Sequence, residues 1–279
     1  MLEIIRAGIF DSVQDLGRFG FRSLGVAVSG AMHQKAFAHA NSRLANHPND
    51  AALEIGQIGG VYRFHTPTFF TLTGAYKEAT LNGLALASDE VHKAEADAEL
   101  FLGRSTEEVY TYLAVKGGFK TECILGSRSM HPSLFEHLRL QKGQQLAYES
   151  HSQFEPKSSA DMPSGQTEEE LILEVHRGPE FHFLLNANQL DQLSFRVADF
   201  NRMGYRLLPN AHLKKSTQSI RSCAVFPGIV QLTPSGECIV LHRDAQVSGG
   251  YPRILVLTDD ELDRLAQCSI NRSIKLQLP

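Results

Sequence analysis

The chain has 279 residues, 42% of them hydrophobic and 21% charged, with 27 basic against 31 acidic side chains and a net charge of −4. That apolar content supports a packed core and excludes a disordered or low-complexity chain. The near-balance of charge excludes nucleic acid and anionic membrane as partners held by bulk electrostatics. No stretch reaches the roughly 18–20 apolar residues of a spanning helix. The N-terminal apolar segment carries Glu3 and Arg6, unlike a secretory signal. A cytoplasmic protein is expected.

Period-two patterning dominates and starts at once, with a strand over Leu2–Arg6. Ser29 is placed to cap a helix over Ala31–Ala45, where Met32, Ala36, Phe37, Ala40 and Leu44 share one face. Strands are predicted at Val61–Phe64 and Thr68–Thr73. Asn82-Gly83 then joins Ala79–Leu81 to Leu84–Leu86, because this dipeptide tolerates the positive φ angles of a tight hairpin turn. Glu108–Lys116 alternates in a way that suits a strand packed on both faces, and a short helix is predicted over Pro132–Leu138.

The segment 151–170 stands apart, with five acids against the single Lys157 and almost no core-forming side chain. Such a piece does not offset the entropy of its own ordering and reads as a flexible linker or surface loop. It divides the chain into an N-terminal half, 1–150, and a C-terminal half, 171–279. In the second half, strands are predicted at Leu171–Val175, Ile229–Thr233, Cys238–His242 and Arg253–Leu257, the middle pair joined by Pro234-Ser235-Gly236. Thr258-Asp259-Asp260-Glu261 is a capping box opening a helix through Leu262, Leu265 and Ala266. The fold class expected is mostly β, in closed or sandwiched antiparallel sheets with a few short helices.

Cys123, Cys223, Cys238 and Cys268 lie far apart and form no C-x-x-C pair, so neither a disulfide framework nor a structural zinc site is expected. None of the twelve histidines forms a recognised ligand pair, and no metal is expected. Phosphate-loop, dinucleotide-binding, HExxH and nucleophile-elbow motifs are all missing, which disfavours a self-contained nucleotide-binding enzyme of a common type.

Four polar, glycine-containing segments remain. Asp11–Phe21 presents Gln14, Asp15 and Arg18 on a loop with two glycines: either an anion site built from N–H groups and a guanidinium, or a tight turn with an internal Asp–Arg pair. Leu125–Ser129 combines Gly126, Ser127, Arg128 and Ser129, as a carboxylate or phosphate pocket or as an exposed turn. Asn201–Arg206 sets Arg202 and Arg206 around a glycine and a tyrosine, to read an oxyanion or to pair with surface acids. In Asp244–Pro252, Gly249-Gly250 permit close backbone approach to a ligand beside the Tyr251 hydroxyl. Gln231, at a strand end, adds a neutral donor and acceptor.

Taken together and in order, these segments resemble the biotin-dependent carboxyltransferase-like family that contains the C component of 5-oxoprolinase (allophanate hydrolase subunit 2, KipA-like proteins). The resemblance runs from Gly8 to Leu257. It rests on VQDLGRFGF (13–21), SGAM (29–32), Ala40-Asn41, NDAALEI (49–55), LTG with LNG, YLAVKGGF (112–119), LGSRS (125–129), RGPE (177–180), NRMGYRL (201–207), PGIVQL (227–232) and SGGYP (248–252). It implies two cyclophilin-like β-barrel halves with a cleft between them, and partners, subunits B and A, that together open the lactam of 5-oxo-L-proline to L-glutamate at the expense of ATP. The nucleotide site then lies on this chain, on a partner subunit, or is shared with one.

The alternatives are a carboxyltransferase acting on urea or a similar small amide, with biotin supplied by another protein, and a non-catalytic antagonist of a kinase-inhibitor-like partner. Under the first reading Arg128, Arg202, Gln231 and Tyr251 take catalytic roles, while Gln14, Asp15, Arg18, Gly126, Ser127, Arg206, Gly249 and Gly250 bind substrate or anion. Alanine at Arg128 or Arg202 is then expected to lower turnover while leaving the fold intact. The chain departs from the family pattern at His33, where an Asp is usual, at Phe200, where a Ser is usual, and at Val247-Ser248, where Thr-Thr is usual.

Overall fold

The computed structural model describes residues 1–75, 78–87, 89–105, 108–137, 139–156, 169–211, 213–214, 216, 218 and 220–279. The chain divides into two units: Met1–Arg18 with Ser29–Gly165, and Phe19–Val28 with Gln166–Pro279. Of the predicted linker 151–170, residues 157–168 lie outside the described residues. Its first residues are docked: His151 N donates to the Pro67 carbonyl at 3.0 Å, and the Phe154 ring packs on Phe69 with centroids 5.5 Å apart.

In the first unit, short apolar runs set the strands, some alternating in burial, as in Leu2–Arg6 and Ala98–Leu102, and others buried throughout, as in Ala52–Ile55 and Thr111–Val115. They are β1 (Leu2–Arg6), β2 (Ser12–Gln14), β3 (Ala52–Ile55), β4 (Val61–Phe64), β5 (Thr68–Gly74) and β6 (Ala79–Leu81). After them come β7 (Leu84–Ala85), β8 (Val91–Ala94), β9 (Ala98–Leu102), β10 (Thr111–Val115) and β11 (Gln145–Leu146). One sheet runs β11-β1-β4-β9-β6-β7 and the other β2-β3-β10-β5-β8. Both feed one core, which includes Leu2, Ile4, Phe64 and Leu100 from the first sheet and Leu53, Phe70, Leu72 and Leu113 from the second. Each such side chain contributes roughly 1.5–3 kcal/mol through removal from water. The turn Asn82-Gly83 takes φ of 51° and 80°, as its dipeptide predicts.

All five residues of β10 are buried. One face meets the core; the other meets helix α1 (Gln34–Arg43), whose Phe37 ring stands edge-on to Tyr112 at 6.0 Å. The helix begins later than its apolar spacing suggests, and Ser29 is not its cap. Ser29 and Gly30 hold φ of 59° and 92°, whereas an N-cap residue is extended. His33 takes that role, its Nδ1 accepting from Ala36 N at 2.9 Å. The expected short helix over Pro132–Leu138 is, among the described residues, a turn: Leu134 and Phe135 both donate to the His131 carbonyl. Leu138 itself lies outside the described residues.

The second unit contains β12 (Leu171–Arg177), β13 (Ser194–Asn201), β14 (Gly204–Pro209), β15 (Cys223–Ala224) and β16 (Ile229–Leu232). The remaining strands are β17 (Cys238–Leu241), β18 (Ser248–Gly249), β19 (Arg253–Leu257) and β20 (Ser273–Gln277). Seven of them close a barrel in the order β12-β19-β16-β17-β14-β13-β20, sealed by the parallel pairing of β12 with β20. Strands β15 and β18 form a separate ribbon. Thr258 caps helix α2 (Asp259–Ala266) by accepting from Glu261 N, as the capping box predicts. The protein is thus mostly β with a few short helices. Among the described residues no helix is long and apolar enough to cross a membrane.

One buried acid in the first unit gives the fold a pH signature. Asp11 is fully buried, and its Oδ2 accepts from Gly8 N and Tyr62 OH, both at 2.8 Å. Burial outweighs these two hydrogen bonds and pushes the carboxyl up to about 6. The folded value lies above the ordinary carboxylate value, so the native state binds the extra proton, and stability falls as pH rises from about 4 to about 6. The difference is worth up to about 3 kcal/mol, since one pKa unit is about 1.4 kcal/mol. Denaturant titrations from pH 4 to pH 8 are expected to show Asp11→Asn gaining stability relative to wild type by that amount as pH rises, with no further change above pH 7.

Candidate functional site

The first cluster of predicted site residues forms around Asp15, just past the end of β2. Its Oδ1 accepts from the Ser127 and Ser129 hydroxyls at 2.6 Å each and from Gly17 N at 2.8 Å. Its Oδ2 accepts from Arg128 N at 2.6 Å. Asp15 N in turn donates to Ser129 Oγ at 3.0 Å, and the buried Arg18 guanidinium donates to the Ser129 carbonyl. Gln14 Nε2 donates to Ser12 Oγ at 3.0 Å. Two segments more than 110 residues apart are thereby clamped together, bringing Gln14, Asp15, Arg18, Gly126, Ser127 and Arg128 into one place.

The clamp fixes the backbone of Arg128 and leaves its guanidinium available. Leu125 and Gly126 hold φ of 53° and 77° in a tight turn, and nothing lies within 4 Å of a Cβ built on Gly126. The Arg128 side chain is half-buried, and among the described residues its guanidinium makes no hydrogen bond or ion pair. A permanently charged, fork-shaped donor held at its root and open at its tip suits a carboxylate or oxyanion.

The motifs on either side support this loop. Ala31 N donates to the Asp15 carbonyl at 2.9 Å, and Leu16 N donates to Asn49 Oδ1 at 3.0 Å. A Cβ on Gly30 would lie 2.8 Å from the Leu16 carbonyl group, so this turn packs against the Asp15 loop only with glycine. Glu54, fully buried in β3, accepts from Met32 N and Tyr112 OH, both at 2.7 Å, and Tyr112 Oη accepts from His33 N at 2.8 Å. Sequence reasoning missed Glu54, Tyr112 and Asn49. The signal available for them was a lone acid inside the apolar strand Ala52–Ile55. The His33 departure also finds its reason here: the position is a helix cap, and an imidazole nitrogen serves as the acceptor where a carboxylate would otherwise do so.

The second unit gathers the other predicted residues. Gln231 on β16 is buried and donates from Nε2 to the Tyr251 carbonyl at 3.4 Å. What approaches Gly249 is Gln231 itself: a Cβ there would lie 2.6 Å from Nε2, whereas Gly250 has open space around it. Tyr251 is 43% exposed. Beside Gln231 in the barrel register stands Arg253, which grips Glu180 with Nε and Nη2 at 2.8 and 2.7 Å and also donates to the Ala224 carbonyl. These hydrogen bonds hold the Glu180 carboxyl below its ordinary value. The pair was not among the predicted site residues, although the RGPE segment supplies its acid.

Arg202 and Arg206 take different parts. Arg206 is 54% exposed and lies 3.8 Å from Glu237, a surface pair of small energetic weight. Arg202, in the β13–β14 turn, binds Asp244 through Nε at 2.8 Å and Nη2 at 3.0 Å, with side chains only 19% and 4% exposed. Removing one partner of such a buried pair strands the other charge, at a cost of about 3–5 kcal/mol. Arg202→Ala is therefore expected to shift the denaturant midpoint strongly, unlike the fold-neutral substitution anticipated from sequence. Double replacement of Arg202 and Asp244 recovers much of that loss. Phe200 stacks on Tyr205 with centroids 5.0 Å apart, and the Val247 carbonyl accepts from Val225 N. The Phe200 departure is thus met by local packing, while nothing in the structure explains Val247-Ser248.

Among the described residues no group of three or more His, Cys, Asp or Glu is placed to hold a metal ion. Cys238 is fully buried, which pushes its thiol up to about 12 and makes it a poor nucleophile.

The family model for the carboxyltransferase domain, subdomains A and B, matches residues 24–278. The chain belongs to this family. The C component of the Escherichia coli K12 5-oxoprolinase is 34% identical over 290 residues, covering 98% of this chain and 90% of that protein. Urea amidolyase of Saccharomyces cerevisiae is 31% identical over 129 residues, which is 46% of this chain and 7% of that protein. Among solved structures, TTHA0988 superposes with a TM-score of 0.89 at 27% identity. The match covers 99% of this carboxyltransferase-family chain and 56% of that one, so the chain spans a little over half the length of its structural relative.

Proposed function

We propose that this chain is one subunit of an ATP-dependent 5-oxoprolinase, which opens the lactam of 5-oxo-L-proline to L-glutamate together with subunits B and A. The observation that carries this reading is the near full-length similarity to the C component of a 5-oxoprolinase. The Asp15–Arg128 clamp supports it, because its constituents are the ordered motifs of the family.

Lactam opening adds water across the ring amide: the carbonyl carbon gains a hydroxyl, the C–N bond breaks, and the ring nitrogen leaves as an amine after taking a proton. The charge that develops is an oxyanion, and the substrate carries a carboxylate throughout. Arg128 offers its guanidinium to one of these anions, while Asp15, Ser127 and Ser129 hold it in place before substrate arrives. In the second unit Gln231, held by the Tyr251 carbonyl, and the exposed Tyr251 provide neutral hydrogen-bonding groups.

The clamp does not suit a nucleotide triphosphate. Gly17 N and Arg128 N already donate to Asp15 and are not available to cradle phosphates. We assign ATP to a partner subunit.

The similarity to urea amidolyase supports a second reading, carboxyl transfer to a small amide with biotin supplied by another chain. A substrate panel separates the two. The complex of this chain with subunits A and B is expected to release glutamate from 5-oxoproline with ATP. It is not expected to consume urea when supplied with a carboxybiotin carrier. Urea consumption without glutamate release would replace the first reading by the second.

A further inference from the structure

We propose that the first unit carries a ligand site for an acidic α-amino acid, in a groove of about 410 Å³ at the end of β1. The groove is lined by Arg6, Gly8, Ile58, Glu78, Phe101 and Arg104, none of which belongs to the Asp15–Arg128 clamp. Its size falls within the range of small-molecule sites.

Three charged side chains define its chemistry. Arg6, Arg104 and Glu78 are all exposed, and among the described residues none of them forms a side-chain hydrogen bond or an ion pair. Arg6 follows an irregularity in the β1–β4 pairing, where the register slips between Ile4 and Arg6. Bulges of this kind re-aim a side chain and are enriched next to binding sites. Its guanidinium lies 5.8 Å from the centre of the Phe101 ring. Beneath these groups the backbone is firmly tied. Gly59 N donates to the Gly103 carbonyl at 3.0 Å, Gly103 N to the Glu78 carbonyl at 2.8 Å, and Ile9 N to the Ile58 carbonyl at 3.1 Å. A Cβ on Gly59 would lie 2.6 Å from Leu102 Cβ, so the close approach of these strands depends on glycine.

The charge pattern selects the ligand. Two guanidiniums and one carboxylate sum to a single positive charge. A molecule with two carboxylates and one ammonium has the complementary single negative charge and pairs group by group. Guanidiniums take carboxylates through paired N–H donors, and Glu78 takes the ammonium. A neutral amino acid leaves one arginine unsatisfied, and a simple dicarboxylate leaves Glu78 facing no cation.

Calorimetric titration of the full chain with L-glutamate, L-glutamine and glutarate tests the site. Saturable L-glutamate binding is expected, weakened at least tenfold by Arg6→Ala and by Arg104→Ala, with L-glutamine weaker on the wild type. Glu78→Gln is expected to weaken L-glutamate while leaving glutarate unchanged or tighter. Arg6→Lys and Arg104→Lys, which keep charge but lose the fork, repeat the test should either alanine variant melt early. Absence of L-glutamate binding, or binding indifferent to both arginines, overturns the proposal. So does loss of an acidic protein partner in these variants when no L-glutamate binds, because the groove would then be a protein-docking surface. The readout is binding to this chain alone and does not depend on the lactam-opening reaction.

Discussion

Replacing Asp15 by alanine is expected to lower the unfolding free energy of the first unit by about 3–5 kcal/mol. One carboxylate accepts from two hydroxyls and two backbone N–H groups, and three of these four donors sit on Ser127–Ser129, which it ties to the loop after β2. Each buried donor left unsatisfied costs about 1–3 kcal/mol, and relaxation or a substituting water recovers part of the sum. Chemical denaturation followed by circular dichroism reads the loss directly. Asp15→Asn keeps one acceptor oxygen and is expected to fall between the alanine variant and wild type. Ser127→Ala and Ser129→Ala each remove one hydroxyl donor, and their effects combine non-additively because both meet the same Oδ1. A wild-type midpoint in Asp15→Ala would mean that the clamp does not hold the loop.

Replacing Arg128 by alanine is expected to do the reverse, lowering turnover of the complex about a hundredfold with no loss of stability. Among the described residues its guanidinium has no partner to strand, and its N–H to Asp15 belongs to the backbone, which the substitution keeps. Removal of one donor aimed at a developing oxyanion costs about 2.7–4 kcal/mol in the transition state, or 10²–10³ in rate. Arg128→Lys keeps the charge but loses the paired geometry and is expected to recover only part of the rate. A fall in turnover accompanied by an equal fall in stability would assign Arg128 to the scaffold.

The strands are legible because each is a local pattern: Leu2–Arg6 and Val61–Phe64 alternate in burial, Arg253–Leu257 is a short apolar run, and the turns at Asn82-Gly83 and Pro234-Ser235-Gly236 carry their own dihedral preferences. Closure of the barrel through β12 and β20 is not legible, since those strands are separated by about a hundred residues and their parallel register depends on everything between them. The start of α1 departs from its pattern for a local reason. Ser29 is a good capping residue by type, but the following glycine and the close packing on Leu16 hold it in a left-handed turn.

The site shows the same division. That Asp15, Ser127 and Arg128 are the residue types of an anion loop can be read from their chemistry. That Asp15 spends its acceptors on Ser127, Ser129 and the Arg128 backbone, and not on a substrate, is a matter of tertiary distance. Arg202 likewise leaves two readings open in sequence, and the bidentate contact with Asp244 shows that its guanidinium is held by an acid of the same unit. Glu180 with Arg253 and Glu54 with Tyr112 lie within or beside recognisable motifs, yet their pairing needs the sheet register to become visible.

The decisive measurement is glutamate release from 5-oxoproline with ATP by subunits A and B, with and without this chain. Turnover is expected only when the chain is present, together with a stable complex on gel filtration. Full turnover without it, or a stable three-part complex that releases no glutamate, would contradict the assignment of this chain to lactam opening.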